Sequence, residues 1–246
     1  MRRIVAMFLA SGLLVALGCS QSYDKRMEKT LDTMIENKRF DDNLQAAVEG
    51  KLKEMNIFVR PPKLMAGAKE FSLFALQDGQ FDHTETFTEA AESGAKRSLH
   101  VIARQKQAKK AAVKGAAPAE PPAPRGPFKT DLVNQLKSVF PDDEKLVDAK
   151  MTDDAHKPNT YKRLILTSGE DAGKKKVEIY LYNLEAYDVA LIFQYDAADE
   201  KALSGKIDLC LKAFAVGPRA TAKFNSKSGL EEDLSEGAAP GGGVAF

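Results

Sequence analysis

Cysteine and histidine are scarce in this chain of 246 residues, and neither sign of charge is in surplus. The three histidines, His83, His100 and His156, lie far apart, with no Cys, Asp or His at metal-ligand spacing, so no zinc signature exists. Lys and Arg total 36 against 35 Asp and Glu, which argues against nucleic acid as a partner, because phosphate binding needs a basic surplus gathered on one face. There is no G-x-S-x-G elbow, no P-loop and no G-x-G-x-x-G. The acidic clusters Asp142-Asp143-Glu144 and Asp153-Asp154 fall in expected loops. They lack the alternating oxygen spacing and the glycine of a calcium loop, and read as solvated charge. No catalytic, cofactor-binding or metal-ligating residue is assigned, and no cofactor is expected.

A bilayer-spanning run of roughly 20 apolar residues is also missing. In its place Arg2 and Arg3 precede an uncharged run, Ile4 to Leu17, of about 14 residues, the length of a signal-peptide h-region. The run ends in Ala16-Leu17-Gly18-Cys19 and turns polar at Ser20-Gln21-Ser22. This ending resembles a lipobox, the site cut by the bacterial lipoprotein signal peptidase, with Ala16 and Leu17 in the reverse of the usual order. The resemblance implies that residues 1–18 are a signal peptide and that Cys19 receives lipid. Several acyl chains, palmitate among them, hold a protein stably on a membrane, whereas one chain does not. Ser20 after the cysteine is, in enterobacteria, a residue that favours the outer membrane. An ordinary cleaved signal peptide is the alternative.

Loss of Arg2 and Arg3 takes the basic residues from 36 to 34 against 35 acidic, so the mature chain is near neutral. With Cys19 lipidated only Cys210 is left, and no intramolecular disulfide is expected. Ile207, Cys210, Leu211 and Phe214 share one helical face, which makes Cys210 a packed thiol.

Tyr23 to Lys38 reads as an amphipathic helix with Met27, Leu31, Met34 and Ile35 in one stripe, and a second helical pattern follows at Leu44, Val48, Leu52 and Met55. Ile57-Phe58-Val59 is β-prone and stops at Pro61-Pro62. Phe71 to Leu76, Phe81 to Phe87 and Leu99 to Arg104 are short extended pieces. Gln105 to Pro127 is rich in Ala, Lys and Pro and is expected to be disordered. The roughly 48 residues before it are too few for a stable unit without disulfides or metal, so the tract reads as an insertion inside one domain.

Beyond the insertion, Phe128, Leu132, Leu136 and Val139 mark a helix. Tyr161 to Thr167, Lys176 to Tyr182 and Tyr187 to Gln194 form a meander, with Val189 to Phe193 apolar on both faces as in a central strand. In the second strand Val177, Ile179 and Leu181 take one side and Glu178, Tyr180 and Tyr182 the other. Tyr180, Tyr182, Tyr187 and Tyr195 are read as packing beneath a helix, with a ligand- or partner-binding face as the alternative. A helix over about 199–215, bent or interrupted near Gly205, stops at Gly217-Pro218. Residues 218–246 read as a disordered tail.

The expected fold is α+β, an antiparallel sheet with flanking helices, preceded by N-terminal amphipathic helices. The expected divisions are 1–18, a lipid anchor and helical segment at 19–56, one domain at 57–217 with the insertion 105–127, and the tail. The element order of residues 57–217 resembles the PsbP-like α/β/α sandwich, whose members are mostly non-catalytic binding or assembly factors. Together these readings give an envelope lipoprotein on the extracytoplasmic face. It is held to membrane lipid through Cys19, with a non-catalytic binding or scaffolding role and an envelope protein as partner. A small-ligand binder is the first alternative and an envelope hydrolase the second.

Overall fold

The computed structural model describes residues 2–65, 67–76, 79–89, 97–106, 125–141, 143–148, 150–168, 174–184 and 186–226, with backbone alone at 2–22 and 147–148. Most of the low-complexity insertion, the tail beyond 226, Gly169, Gly173 and Asp142 lie outside these residues. The chain up to Asp42 belongs to one compact unit, and Asn43–Phe224 forms another.

Helix α1, Arg2–Asn43, contains the expected amphipathic segment. Among the described residues no helix is long and apolar enough to cross a membrane. The hydroxyls of Thr30 and Thr33 donate back to the carbonyls of Arg26 and Lys29, at 2.8 and 2.9 Å. Bonds of this i to i−4 kind satisfy the hydroxyls on the helix's own backbone.

The second expected helix does not form as a unit. Only Lys51–Glu54, α2, is helical. Residues 44–48 run extended beside 59–62: Gln45 N–H bonds Pro61 O at 2.8 Å, Val48 N–H bonds Val59 O at 2.9 Å, and Leu44 bridges Pro62. Two causes act together. Gly50 adopts φ 73°, a left-handed value no helix interior tolerates. The 59–62 backbone also needs hydrogen-bond partners, which only an extended neighbour supplies. Leu44, Leu52 and Met55 are buried all the same.

The remaining elements, in chain order, are β1 (Ile57–Phe58), β2 (Gly67–Lys69), β3 (His83–Thr88), β4 (Arg97–Gln105), α3 (Phe128–Val139), α4 (Lys145–Asp148), β5 (Thr152–His156), β6 (Asn159–Ser168), β7 (Lys175–Tyr182), β8 (Tyr187–Asp196), α5 (Glu200–Ala213), β9 (Ala215–Val216) and α6 (Pro218–Asn225). Seven strands form one antiparallel sheet in the order β2-β3-β4-β8-β7-β6-β5, and β1 pairs with β9 in a small second sheet. The fold is α+β. Strands from both sides of the low-complexity tract lie in the same sheet, because β4 pairs with β8 along its whole length. The carboxylate of Asp82 accepts both the Gln105 N–H at 2.7 Å and an Arg125 N–H at 2.8 Å, so one side chain holds the two ends of that tract.

Alternation decides the two faces. Ile102, Leu164, Leu166, Val177, Ile179, Ala190 and Ile192 turn toward α3 and meet Phe128, Leu132, Val133 and Leu136. Tyr161, Tyr180, Tyr182, Phe193 and Tyr195 turn to the opposite side, where Phe214 at the end of α5 stacks edge-on to Tyr182 at 5.1 Å. Strand β8 lies between β4 and β7 with Val189 to Phe193 fully buried, as a central strand requires.

Helix α5 runs unbroken through Gly205, against the expected bend, because that glycine sits on the exposed face. A Cβ added there meets nothing within 4 Å, and its φ is not left-handed. Gly205→Ala is therefore expected to stabilise the domain by about 1 kcal/mol, the helix-propensity difference. A denaturant midpoint that falls instead would contradict the open geometry.

Asp153 and Asp154 are not in a loop; they lie on the edge strand β5, paired across the ladder with Lys162 at 2.7 Å and Arg163 at 3.1 Å. Edge strands carry charge readily because one side is open to water. Residues 218–225, read as tail, form α6. Pro218 suits a first helical turn, and Phe224 stacks on Phe58 at 5.0 Å.

Candidate functional site

The densest polar constellation in the sheet domain is centred on Glu178. Strand alternation puts Lys176, Glu178, Tyr180 and Tyr182 on the α5 face of β7. Register then brings Arg163 of β6 opposite Tyr180, and Tyr195 of β8 opposite Lys176. Glu178 is 4% exposed. Its Oε2 accepts from Tyr180 OH at 2.6 Å and from Arg163 at 2.7 Å. Its Oε1 accepts from Tyr195 OH and faces Lys176 Nζ at 3.0 Å. Burial alone would push this carboxyl up; the four donors, Tyr180 and Tyr195 foremost, overcome it and hold the group down at about 2. The phenols respond in the opposite sense. Burial and the adjacent carboxylate push both Tyr180 and Tyr195 up, so they stay protonated.

The cations stack as well as pair. The Arg163 guanidinium lies 5.4 Å from the Tyr180 ring centre, and Lys176 Nζ lies 6.0 Å from that of Tyr195. Burial works against both cations. For Lys176, Glu200 at 2.6 Å and then Glu178 outweigh it, and for Arg163 it is Glu178, so both are raised. Around the rim, His156 Nδ1 sits 2.8 Å from Asp208 Oδ1, and its Nε2 lies 3.4 Å from Asp154. Burial would raise Asp208, but Lys212 and His156 bring it below the usual range. At the far end, Asn159 donates to the carbonyls of Leu211 and Phe214 at 2.9 and 2.7 Å, and Tyr161 OH donates to Leu211 at 2.7 Å. These bonds satisfy carbonyls that the end of α5 leaves without helical partners.

On the opposite face His100 is 2% exposed. Its Nδ1 meets Thr86 Oγ1 at 2.8 Å, its Nε2 meets Ser98 Oγ at 3.0 Å, and the Phe71 ring stands edge-on at 5.7 Å. Burial lowers its pKa to about 4, against a smaller opposing contribution from Gln194. The imidazole is neutral at physiological pH and fills a packing position.

Cys210 is fully buried and its thiol is pushed up to about 12 by desolvation, as a packed cysteine should be. Tyr180, Tyr182 and Tyr195 pack beneath α5, while Tyr187 is half-buried. His83 faces Glu85 at 3.3 Å and does not join His100 or His156. Asp143 accepts from the Lys145 and Thr167 backbone N–H groups, a capping role. Among the described residues no group of three His, Cys, Asp or Glu lies close enough to hold a metal ion. The side chain of Cys19 lies outside the described residues.

Sequence reasoning missed the Glu178 constellation. One signal was available: an acid on the same strand face as two tyrosines demands partners if that face is buried. Arg163 and Tyr195 come from other strands, and no local pattern names them.

The arrangement defines what these groups can do. Glu178 is ionised with both oxygens occupied, and its two phenols are held protonated. The constellation is a fixed ionic joint under α5 and is not poised to exchange protons at neutral pH.

No protein-family model and no curated protein matches the sequence. Among solved structures the chain has a distant likeness to a protein from Bacteroides thetaiotaomicron (9% identity, TM-score 0.37), covering 65% of this chain and 45% of that one, less than half the length of that protein. A second is LpqN, described as involved in cell envelope biogenesis of Mycobacterium tuberculosis (5% identity, TM-score 0.36, 66% and 83% covered). A third is the cyanobacterial PsbP of Synechocystis (10% identity, TM-score 0.34, 71% and 93% covered).

Proposed function

We propose that this protein is an envelope lipoprotein, cut before Cys19 and lipidated there, whose α+β domain binds or positions a partner without catalysing a reaction. The observation that carries the non-catalytic part is the internal engagement of the most deeply buried acid, imidazole and thiol. Both oxygens of Glu178, both ring nitrogens of His100 and the Cys210 thiol are committed to internal contacts. What the domain offers a partner is therefore surface. The anchor rests on the lipobox resemblance at residues 16–19, and it places the protein on the extracytoplasmic face. On this reading residues 1–18 are removed, 19–56 carry the anchor and helical segment, and the sheet domain follows with 105–127 as an insertion.

The test has two arms. Cys19→Ala should abolish incorporation of labelled fatty acid into the protein, because the thiol that accepts the lipid is gone. Mass spectrometry of the wild-type mature N-terminus should show a diacylglyceryl-modified cysteine. Unchanged acyl incorporation in Cys19→Ala, or an unmodified terminus, would overturn the anchor. In the second arm, crosslinking in intact cells followed by capture should recover a specific envelope protein, and recovery of none would count against the binding role.

A further inference from the structure

Among the described residues, five of the eight exposed large apolar side chains lie on α1. Tyr23, Met27, Leu31, Met34 and Ile35 are each between 51% and 61% exposed. Their spacing places them along one stripe of the helix. Helix α1 is continuous from Arg2, so the stripe begins four residues after Cys19, about 6 Å along the axis, and ends about 24 Å from it. The stretch 23–43 holds five basic and six acidic residues, so it is neither drawn to nor repelled from anionic headgroups as a whole.

Two occupants compete for this stripe, a second copy of the helix and the bilayer. A coiled coil through it would put Met27, Leu31 and Met34 at successive seam positions, with Asp24 and Lys38 at the next positions on either side. Three apolar layers fall short of the roughly three to four heptads such a pairing needs. The bilayer has no such deficit. A lipid on Cys19 keeps the stripe within reach of the membrane, so its contact with lipid is intramolecular and each apolar side chain that enters adds to binding. Tyr23, nearest the anchor, is of a type that settles at headgroup depth.

We propose that the α1 stripe from Tyr23 to Ile35 lies in the interface of the bilayer that holds the Cys19 lipid, with the helix axis in the membrane plane. The proposal rests on the anchor reading. It makes residues 23–35 a second membrane contact, one that depends on apolar burial and not on headgroup charge.

The lipidated full chain, carrying a fluorophore at Leu31→Cys or at Glu36→Cys, tests this in vesicles of phosphatidylethanolamine and phosphatidylglycerol with a spin quencher in the acyl chains. The buried Cys210 does not compete for the label. The label at 31 should lose most of its emission to the quencher, and the label at 36, on the opposite face, should keep its own. Met27→Cys should behave as 31 does. Equal emission at 31 and 36 from protein that still floats with the vesicles overturns the proposal and leaves the anchor standing. Loss of flotation overturns both. Disulfides between unlabelled Leu31→Cys copies, with no quenching of the labelled ones, assign the stripe to a second copy and overturn the proposal.

Discussion

Glu178→Ala is expected to lower the stability of the sheet domain by about 3–5 kcal/mol, the range found when one partner of a buried ion pair is removed. The cause lies in what is left behind. Arg163 and Lys176 would keep their charges under α5 without the carboxylate that compensates them, and the hydroxyls of Tyr180 and Tyr195 would lose their acceptor. Urea titration of the purified domain gives the change directly, as a shift of midpoint at constant slope. Pairing Glu178→Met with Arg163→Met should recover part of the loss, since the double substitution leaves a single cation, and Lys176 still reaches Glu200. A loss below about 1 kcal/mol in Glu178→Ala would mean the joint is weaker than its geometry implies. The same carboxylate fixes an acid limit. Its folded value of about 2 lies below the ordinary carboxyl value of 4.5. Its contribution is therefore complete above pH 4.5 and is lost as pH falls through 2.

Between pH 6.5 and pH 4 the domain should lose about 3 kcal/mol through His100 alone. Burial lowers this imidazole from 6.5 to about 4. In that window the unfolded chain takes up a proton that the folded chain refuses, so stability falls as pH falls. The neighbours at His100 are the hydroxyls of Thr86 and Ser98, the Gln194 amide and the Phe71 ring, none of which titrates in this range. This window lies mostly above that of Glu178, so the two limbs are separable in a stability–pH curve. His100→Gln should flatten the curve from pH 6.5 to 4.5 and leave the steeper loss below it. Parallel curves for the wild type and His100→Gln across that interval would show that burial does not hold the ring neutral.

Much of the fold was legible because alternation and helical spacing are local. The helix at Phe128–Val139, the strands of β3, β4, β6, β7 and β8, the buried face of Cys210 and the central position of Val189 to Phe193 all follow from which side each residue faces. The candidate site was legible only in part. Glu178, Tyr180 and Tyr182 could be placed on one face, and Tyr195 on the meander, but nothing near them names Arg163.

Three features were settled by contacts between distant segments. The apolar spacing of residues 44–55 is helical in pattern, yet pairing of 44–48 with the backbone at 59–62 and the left-handed Gly50 keep most of it out of a helix. Strand β5 forms because Asp153 and Asp154 meet Lys162 and Arg163 across a ladder, a pairing invisible in a run of acidic residues. Helix α6 forms where Phe224 finds Phe58. Local patterning was enough to say which residues face inward and, through the run ending at Cys19, where an anchor is expected. Which strands are neighbours, and in what register, came from packing between distant segments. Periodicity along a chain encodes the side a residue takes, whereas its partner across a sheet depends on how separate segments pack.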